Sequence, residues 1–447
     1  MPKKKTALTI EERLQQALVP AEEQPYEVPE NWVWVRLGAV CYASKEKSND
    51  FSNDIKYIGL EHLEKDKGIV GFSSADKVKS TKNAFKEGQI LYGRLRPYLN
   101  KHDITSFDGV CSTDILVFEA TNLVANVLVD KFFNLPFFIE YVVSNSKGIN
   151  LPRVSEETVL NTTFPLPPLS EQQRIVERIE ELFAKLDEAK ERLQEVAESF
   201  AVRKAAILHK AFTGELTKQW RLENGVSDES WEEKTIGEIC SSLKYGTSKK
   251  SSDDGEVVVL RMGNLQNGEI DWSNLAYTSD EEDIKKYLLK SGDVLFNRTN
   301  SPELVGKTSI YRGEMPAIYA GYLIKLDYEK NIVVGDYLNY YLNSSKAKEY
   351  YMQVKTDGVS QSNINAKKIG EFEIPLPTLS EQHEILRLID ELLARERKAQ
   401  QATEQALASI DLMKKSILAR AFRGELGTNK ASEASALELL KQVLEEN

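Results

Sequence analysis

Cysteine and histidine are scarce in this chain of 447 residues. The three cysteines, Cys41, Cys111 and Cys240, are widely spaced and odd in number, which excludes a disulfide framework and a CxxC metal knuckle. The four histidines form no HExxH motif and no Cys/His spacing typical of a metal site. A GxGxxG motif and a nucleophile elbow are missing too. We therefore predict a protein without a catalytic centre, a metal or a cofactor of its own.

Long apolar runs and an excess of basic charge are also absent. No apolar stretch approaches the ~20 residues that span a bilayer, and the initial Met-Pro-Lys-Lys-Lys is not followed by the apolar core of a secretory signal. We expect a cytoplasmic protein. The formal net charge of -11 argues against nonspecific wrapping of nucleic acid, which depends on neutralising phosphates. Basic side chains are nevertheless concentrated in segment 77–101, which contains seven basic residues and one acidic residue.

The sequence contains an internal duplication. Residues 165–216 align without a gap on residues 375–426, and both copies begin with PLPxLSEQ and end with AFxGEL. Each copy follows a longer, divergent segment that opens at a tryptophan, Trp32 or Trp231. Such a repeat indicates the order variable, constant, variable, constant. The predicted segments are an N-terminal extension (1–30), a first variable domain (31–164), a first constant region (165–217), a second variable domain (218–374), a second constant region (375–427) and a C-terminal helical tail (428–447).

Each constant region has the pattern of one long helix. Three prolines at 165–168 cannot lie inside a helix, and Ser170 with Gln173 has capping-box spacing, so a helix is predicted from about Ser170 to Phe212. Apolar residues then recur at steps of four and three, which is typical of a coiled coil. The predicted seam comprises Ile175, Ile179, Leu182, Leu186, Leu193, Val196 and Phe200, with Ile385, Ile389, Leu392, Ile410 and Ile417 in the second copy. An antiparallel intramolecular coiled coil with a pseudo-two-fold axis is the simplest arrangement, and a generic dimerisation coiled coil is the alternative.

The variable domains mix short β-type runs, turns and a few helices, which predicts an α+β fold class with two α/β domains. A predicted strand at 90–92 is followed by a loop rich in Arg, Asn and Tyr, and a similar loop follows the predicted strand at 294–296. These side chains suit hydrogen bonds to base edges and phosphates, although a solvated loop is the alternative for either loop. The candidate DNA-binding residues are Tyr92, Arg94, Arg96, Asn100 and Lys101 in the first domain and Lys249, Lys250, Asn297, Arg298 and Asn300 in the second.

The duplicated PLPxLSEQ and AFxGEL elements, each after a domain that opens with Trp-x-x-x-x-[Leu/Ile]-Gly, resemble the specificity subunit of type I restriction-modification enzymes. The resemblance covers essentially the whole chain. It implies that the variable domains are target-recognition domains, each recognising one half of a split, asymmetric DNA sequence. It also implies partners: two methyltransferase subunits with S-adenosylmethionine, and restriction subunits that use ATP and Mg.

In this interpretation the helix pair sets the spacing between the two half-sites. A heptad inserted into both helices should add base pairs to the unrecognised spacer, at ~3.4 Å for each base pair, without changing either half. Mapping of methylated sites checks this, and an unchanged spacer would contradict it. Two other classes stay open. A coiled-coil adaptor would show no sequence-dependent DNA affinity, whereas a stand-alone regulator would bind DNA tightly without partners.

Overall fold

The computed structural model describes residues 9–49, 52, 54–77, 80–359 and 361–446; the N-terminal residues 1–8 and Lys79 of the basic segment lie outside them. The chain divides into two compact units, residues 1–193 with 405–447, and residues 194–404. Each long helix contributes to both units. No helix in the described part of the chain is long and apolar enough to cross a membrane.

Among the described residues, the first variable domain is preceded by one α-helix, carries three more and leads into the first long helix. The helices are α1 (Ile10–Ala17), α2 (Asn126–Phe133), α3 (Pro136–Ser144), α4 (Glu156–Leu160) and α5 (Leu169–Phe212). The strands are β1 (Val33–Arg36), β2 (Cys41–Ala43), β3 (Lys47–Ser48), β4 (Lys56–Ile58), β5 (Leu63–Glu64), β6 (Gly68–Ile69), β7 (Ser73–Ser74), β8 (Lys82–Phe85), β9 (Ile90–Gly93), β10 (His102–Ile104), β11 (Gly109–Cys111), β12 (Ile115–Ala120) and β13 (Thr163–Leu166).

The second half of the chain repeats this plan. Its helices are α6 (Lys218–Asn224), α7 (Ile236–Ile239), α8 (Glu281–Tyr287), α9 (Gly335–Leu342), α10 (Ser345–Val354), α11 (Ala366–Gly370), α12 (Leu379–Ala421) and α13 (Ala436–Glu446). Its strands are β14 (Glu232–Thr235), β15 (Cys240–Tyr245), β16 (Val257–Leu260), β17 (Leu265–Gln266), β18 (Glu269–Ile270), β19 (Tyr277–Thr278), β20 (Val294–Asn297), β21 (Thr299–Asn300), β22 (Thr308–Ile310), β23 (Ala317–Tyr319), β24 (Leu323–Tyr328), β25 (Thr356–Asp357), β26 (Ser362–Asn363) and β27 (Glu373–Leu376).

The two variable domains share one topology although their sequences differ. A four-stranded antiparallel sheet has the order β10-β9-β12-β2 in the first domain and β22-β20-β24-β15 in the second. A second sheet contains a parallel pair, β4 with β11 or β16 with β23. The predicted strands at 90–92 and 294–296 are therefore equivalent inner strands, β9 and β20, and the predicted α+β class is confirmed.

The two ends of each variable domain are joined to one another. Strand β1 pairs antiparallel with β13, and β14 pairs with β27, so Trp34 lies opposite Pro165 and Glu233 lies opposite Pro375. Proline lacks an N–H donor and is tolerated at the edge of such a short ladder. The Pro-Leu of the PLP sequence thus ends the last strand of the domain, and the long helix starts three residues later.

Helices α5 and α12 are 44 and 43 residues long, as the heptad pattern predicts. The capping prediction is wrong in detail, because Ser170 lies one residue inside α5. Its hydroxyl instead hydrogen-bonds Glu433. In the second copy the cap is Thr378, whose Oγ1 accepts the N–H of Glu381 at 3.3 Å.

The Gln of each LSEQ sequence fixes its helix to the domain before it. Gln172 is buried and donates from Nε2 to the carbonyl oxygens of Leu123 and Pro167, at 2.8 and 3.1 Å. Gln382 does the same with Ile332 and the matching proline, at 3.0 and 2.9 Å. Each of these buried Nε2 groups donates to two carbonyl oxygens. The side chain therefore holds one orientation, because breaking either hydrogen bond would leave a buried polar group unpaired.

The Glu of each LSEQ sequence receives donors that follow the AFxGEL end of the other long helix. Fully buried Glu171 accepts Thr428 Oγ1 at 3.0 Å and also accepts the indole Nε1 of Trp32 at 2.7 Å. Fully buried Glu381 accepts Thr217 Oγ1 and Arg221 Nη1, both at 2.7 Å. In each unit the end of one long helix therefore lies at the start of the other, which requires an antiparallel pair.

Ion pairs along the helices agree with this direction. In the first unit Lys414 contacts Asp187 at 2.5 Å, and Lys190 contacts Asp411 at 3.7 Å, so numbers rise on one helix as they fall on the other. In the second unit Arg203 Nε lies 2.9 Å from Glu396. The coiled-coil prediction is confirmed.

Burial along the two long helices follows the predicted seam at most positions. The residues predicted for the seam are buried or half-buried, whereas Val196 is 39% exposed. The inward position between Leu193 and Phe200 is the half-buried Ala197. An α-helix drifts by ~20° per heptad against a strict seven-residue repeat, so the inward face moves on by one residue here. Near the helix starts, Ile175 and Ile385 also belong to the domain cores.

The predicted C-terminal helix exists as α13 and packs within its own chain. Ala436 and Leu440 are fully buried in the core of the first unit, and Arg13 of α1 donates to the carbonyl oxygen of Leu444 at 2.9 Å. The apolar face of α13 is therefore covered by the first unit itself.

The glycine of AFxGEL gives a testable steric constraint. Gly424 has φ +72°, and a Cβ there would lie 2.4 Å from Pro29 Cγ. Gly424→Ala should destabilise the first unit by about 2–4 kcal/mol, since left-handed backbone strain and overlap add. Gly427→Ala is the matched control, because Gly427 has φ +73° with no atom near its Cβ position. Thermal unfolding of both variants checks this. Equal losses of stability in the two variants would show that overlap with Pro29 contributes nothing.

Candidate nucleic-acid interface

One arginine directly follows the inner strand in each variable domain. The N–H of Arg94 donates to Asp114 and its carbonyl accepts from Val154, at 2.9 and 3.0 Å. The N–H of Arg298 donates to Tyr322 and its carbonyl accepts from Ile364, at 3.0 and 2.9 Å. The two arginines are therefore structurally equivalent, as the parallel loops predicted.

Both guanidinium groups are half-buried and already oriented. Arg94 Nε donates to the carbonyl oxygen of Val154 at 3.2 Å. Arg298 lies 4.7 Å over the ring of Tyr245 and donates from Nη2 to Asn363 Oδ1 at 3.3 Å. An arginine held in this way loses little further side-chain entropy on binding a base or a phosphate.

A hairpin lies beside each of these loops. In the first domain Lys147 and Arg153 exchange backbone hydrogen bonds, and the N–H of Arg96 donates to Pro152 at 2.7 Å. In the second domain β25 pairs with β26, and β26 pairs with β21 in the loop after β20. Loop and hairpin thus form one continuous surface in each domain.

Three residues predicted to contact DNA lie in the interior of the domains, so the prediction is wrong for them. Tyr92 is fully buried in an aromatic cluster, 5.2 Å from the ring of Phe133, and this burial raises its pKa. Asn100 is buried with φ +42° and donates to the carbonyl oxygen of Phe133 at 3.0 Å. Asn297 ends β20 with its side chain fully buried. A buried side chain cannot contact DNA, so these residues shape the loops from inside.

Three others are held by neighbours. Lys101 Nζ donates to the carbonyl oxygen of Leu60 at 2.9 Å, and Asn300 Oδ1 accepts the N–H of Ser301. Lys249 donates to Asp280 at 2.7 Å, and this hydrogen bond raises its pKa. With Asp283 and Glu282 also within 4.0 Å, Lys249 offers little net positive charge to a phosphate.

Arg96 and Lys250 fit the prediction best by exposure. Both are exposed, and no ion pair involves either of them in the described part of the chain. Arg96 is held in the left-handed region at φ +53°, between β9 and the neighbouring hairpin. Tyr98, also exposed, follows it in the same loop.

Each of the three cysteines lies in a strand of a variable domain. Burial raises the pKa of the thiols of Cys41, Cys111 and Cys240 to about 12, so these thiols are protonated near neutral pH. Among the described residues no group of three or more His, Cys, Asp or Glu side chains is arranged to hold a metal ion.

Residues 29–198 and 228–406 match the family model of the type I restriction modification DNA specificity domain. The chain belongs to this family. The two matches each cover one variable domain and the start of the long helix after it, so the family's two recognition domains correspond to the duplication described above. The chain is a specificity subunit of the type I restriction-modification kind.

Similar proteins extend over almost the whole chain. The type I restriction enzyme EcoBI specificity subunit of Escherichia coli is 27% identical over 422 residues, covering 88% of this chain and 86% of the relative. The EcoKI specificity subunit of Escherichia coli K12 is 26% identical, covering 89% and 90%. The crystal structure of the HsdS subunit from Thermoanaerobacter tengcongensis is 23% identical with a TM-score of 0.67, covering 90% and 99%, which supports the fold.

The hairpin tips were missed by the sequence-based prediction. The Gly-Ile-Asn at 148–150 and the Gly-Val-Ser at 358–360 are separated by the same 210 residues as the constant regions. That echo was the available signal. The repeated sequence could be interpreted only once the structure showed that each hairpin lies beside an equivalent loop.

Proposed function

We propose that this chain recognises a bipartite, asymmetric DNA sequence, one half through each recognition domain. The equivalent surfaces at Arg94 and Arg298 carry this proposal. They have the same backbone hydrogen bonds but different neighbouring side chains. Base recognition depends on side-chain chemistry, so two such surfaces favour two different half-sites.

In this proposal the chain has no catalytic role and acts as a scaffold. Two methyltransferase subunits would bring S-adenosylmethionine, and restriction subunits would bring ATP and Mg, in cytoplasmic complexes for DNA methylation and defence against foreign DNA. The net charge of -11 supports sharing of the DNA contacts, because an acidic chain gains little from phosphates alone.

Mapping of adenine methylation across the genome tests the proposal. Cells expressing this chain with its methyltransferase subunit are compared with cells expressing the methyltransferase alone. A split, asymmetric motif that appears only with this chain supports the proposal. Assembly of the complex without any motif would favour the coiled-coil adaptor, and tight sequence-specific binding by the chain alone would favour the regulator.

A further inference from the structure

The two most exposed large apolar side chains among the described residues are Ile149 and Val359. They are 100% and 110% exposed, whereas the next, Leu222 and Val202, are 71% and 70% exposed. Single exposed apolar residues are ordinary on protein surfaces. Here, however, the two extreme cases occupy the same place in two domains that diverge in most of their sequence.

The position of each tip is fixed by its surroundings. Five residues beyond Ile149 and Val359, the side chains of Val154 and Ile364 are fully buried. The next residue in each domain is the N-cap of a short helix. The 210-residue offset of the constant regions therefore extends back to the hairpins. Each tip lies at the same distance in sequence from the long helix that follows it.

The surface around the first tip is cationic. Lys147 and Arg96 are exposed, and neither forms an ion pair with a described residue. Arg153 of the same hairpin contacts Asp114 at 3.1 Å. An apolar tip surrounded by cations suits a duplex, whose phosphates lie beside grooves in which thymine methyl groups and base steps offer apolar contacts.

We propose that Ile149 and Val359 are base-contacting specificity residues, each inserting into the DNA groove at its own half-site. This rests on the proposed function. The proposal gives a role to two side chains that are fully exposed. Because neither side chain has a buried contact to lose, its replacement should leave the free energy of unfolding unchanged. The two tips belong to different variable domains, so each would contact the bases of a different half-site.

The test uses the complex with the methyltransferase subunit and a duplex carrying the mapped target. Ile149→Ser should lower affinity for the target by about tenfold while affinity for unrelated DNA stays unchanged, as expected for loss of one base contact. Methylation mapping should show relaxed sequence preference in one half-site. Val359→Ser should relax the other half, and Val202→Ser, an equally polar change on an exposed face of α5, should alter neither.

Three results would overturn this role. The first is that affinity and methylation in both tip variants match those of the unsubstituted chain. The second is that affinity for all DNA falls equally, which would indicate a contact with the DNA backbone. Weaker assembly with the methyltransferase would indicate a protein-docking tip. Failure of the proposed function itself is distinguishable, because then the unsubstituted chain would produce no methylation motif.

Discussion

Replacing residues 231–374 with the equivalent segment of another family member should change one half of the methylated sequence and leave the other half unchanged. The second recognition domain has its own sheets, and its ends pair with one another through β14 and β27. A segment closed in this way can be exchanged if its contacts to the constant region are kept. Methylation mapping measures the outcome.

The reciprocal exchange of residues 31–164 is the matched control and should change the other half-site. The strands that close this domain, β1 and β13, pair in the same manner as β14 and β27. Changes in both halves after a single exchange would contradict independent recognition by the two domains.

Glu381→Leu should be the most destabilising single substitution proposed for the second unit. It removes the buried carboxylate that Arg221 Nη1 contacts at 2.7 Å and leaves Thr217 Oγ1 without an acceptor. Arg221 then keeps only the exposed carboxylate of Asp228, which lies 2.7 Å from its Nε. Removal of one member of a buried ion pair costs about 3–5 kcal/mol, because the remaining charge stays desolvated. Hydrogen exchange should therefore show loss of protection around residues 213–231 and the start of α12.

Two controls separate the buried charge from its surroundings. Glu391→Gln removes a surface carboxylate from the same helix and should change stability by less than about 1 kcal/mol. Combining Glu381→Leu with Arg221→Met should recover part of the loss, because the only charge left without its partner is the exposed carboxylate of Asp228. A double variant as unstable as the sum of the single variants would rule out the ion pair as the cause.

The sequence predicted the features that depend on periodicity and repetition. Proline placement and the heptad pattern gave both long helices to within a few residues, and the shared sequence at 90–92 and 294–296 gave equivalent strands. These predictions succeed because helix period and strand pattern are local properties.

The interface was less predictable because it depends on long-range contacts. Tyr92 and Asn297 lie at strand positions whose side chains face the core, and only the sheet order shows this. Lys249 appears free in the sequence, yet its acidic partner, Asp280, is 31 residues away. The buried Glu171 was equally hidden, since its donors include Thr428, 257 residues later.

The first unit uses residues from both ends of the chain, and this affects its synthesis. Phe422 and Leu440 fill its core, with Phe422 against Phe132 at a ring distance of 5.8 Å. On the ribosome, residues 194–404 emerge as a continuous stretch, whereas the first recognition domain must wait for the last 43 residues. The domain translated first is thus the last to be completed. Until residues 405–447 have been made, apolar side chains of this core stay exposed, which favours aggregation or chaperone binding.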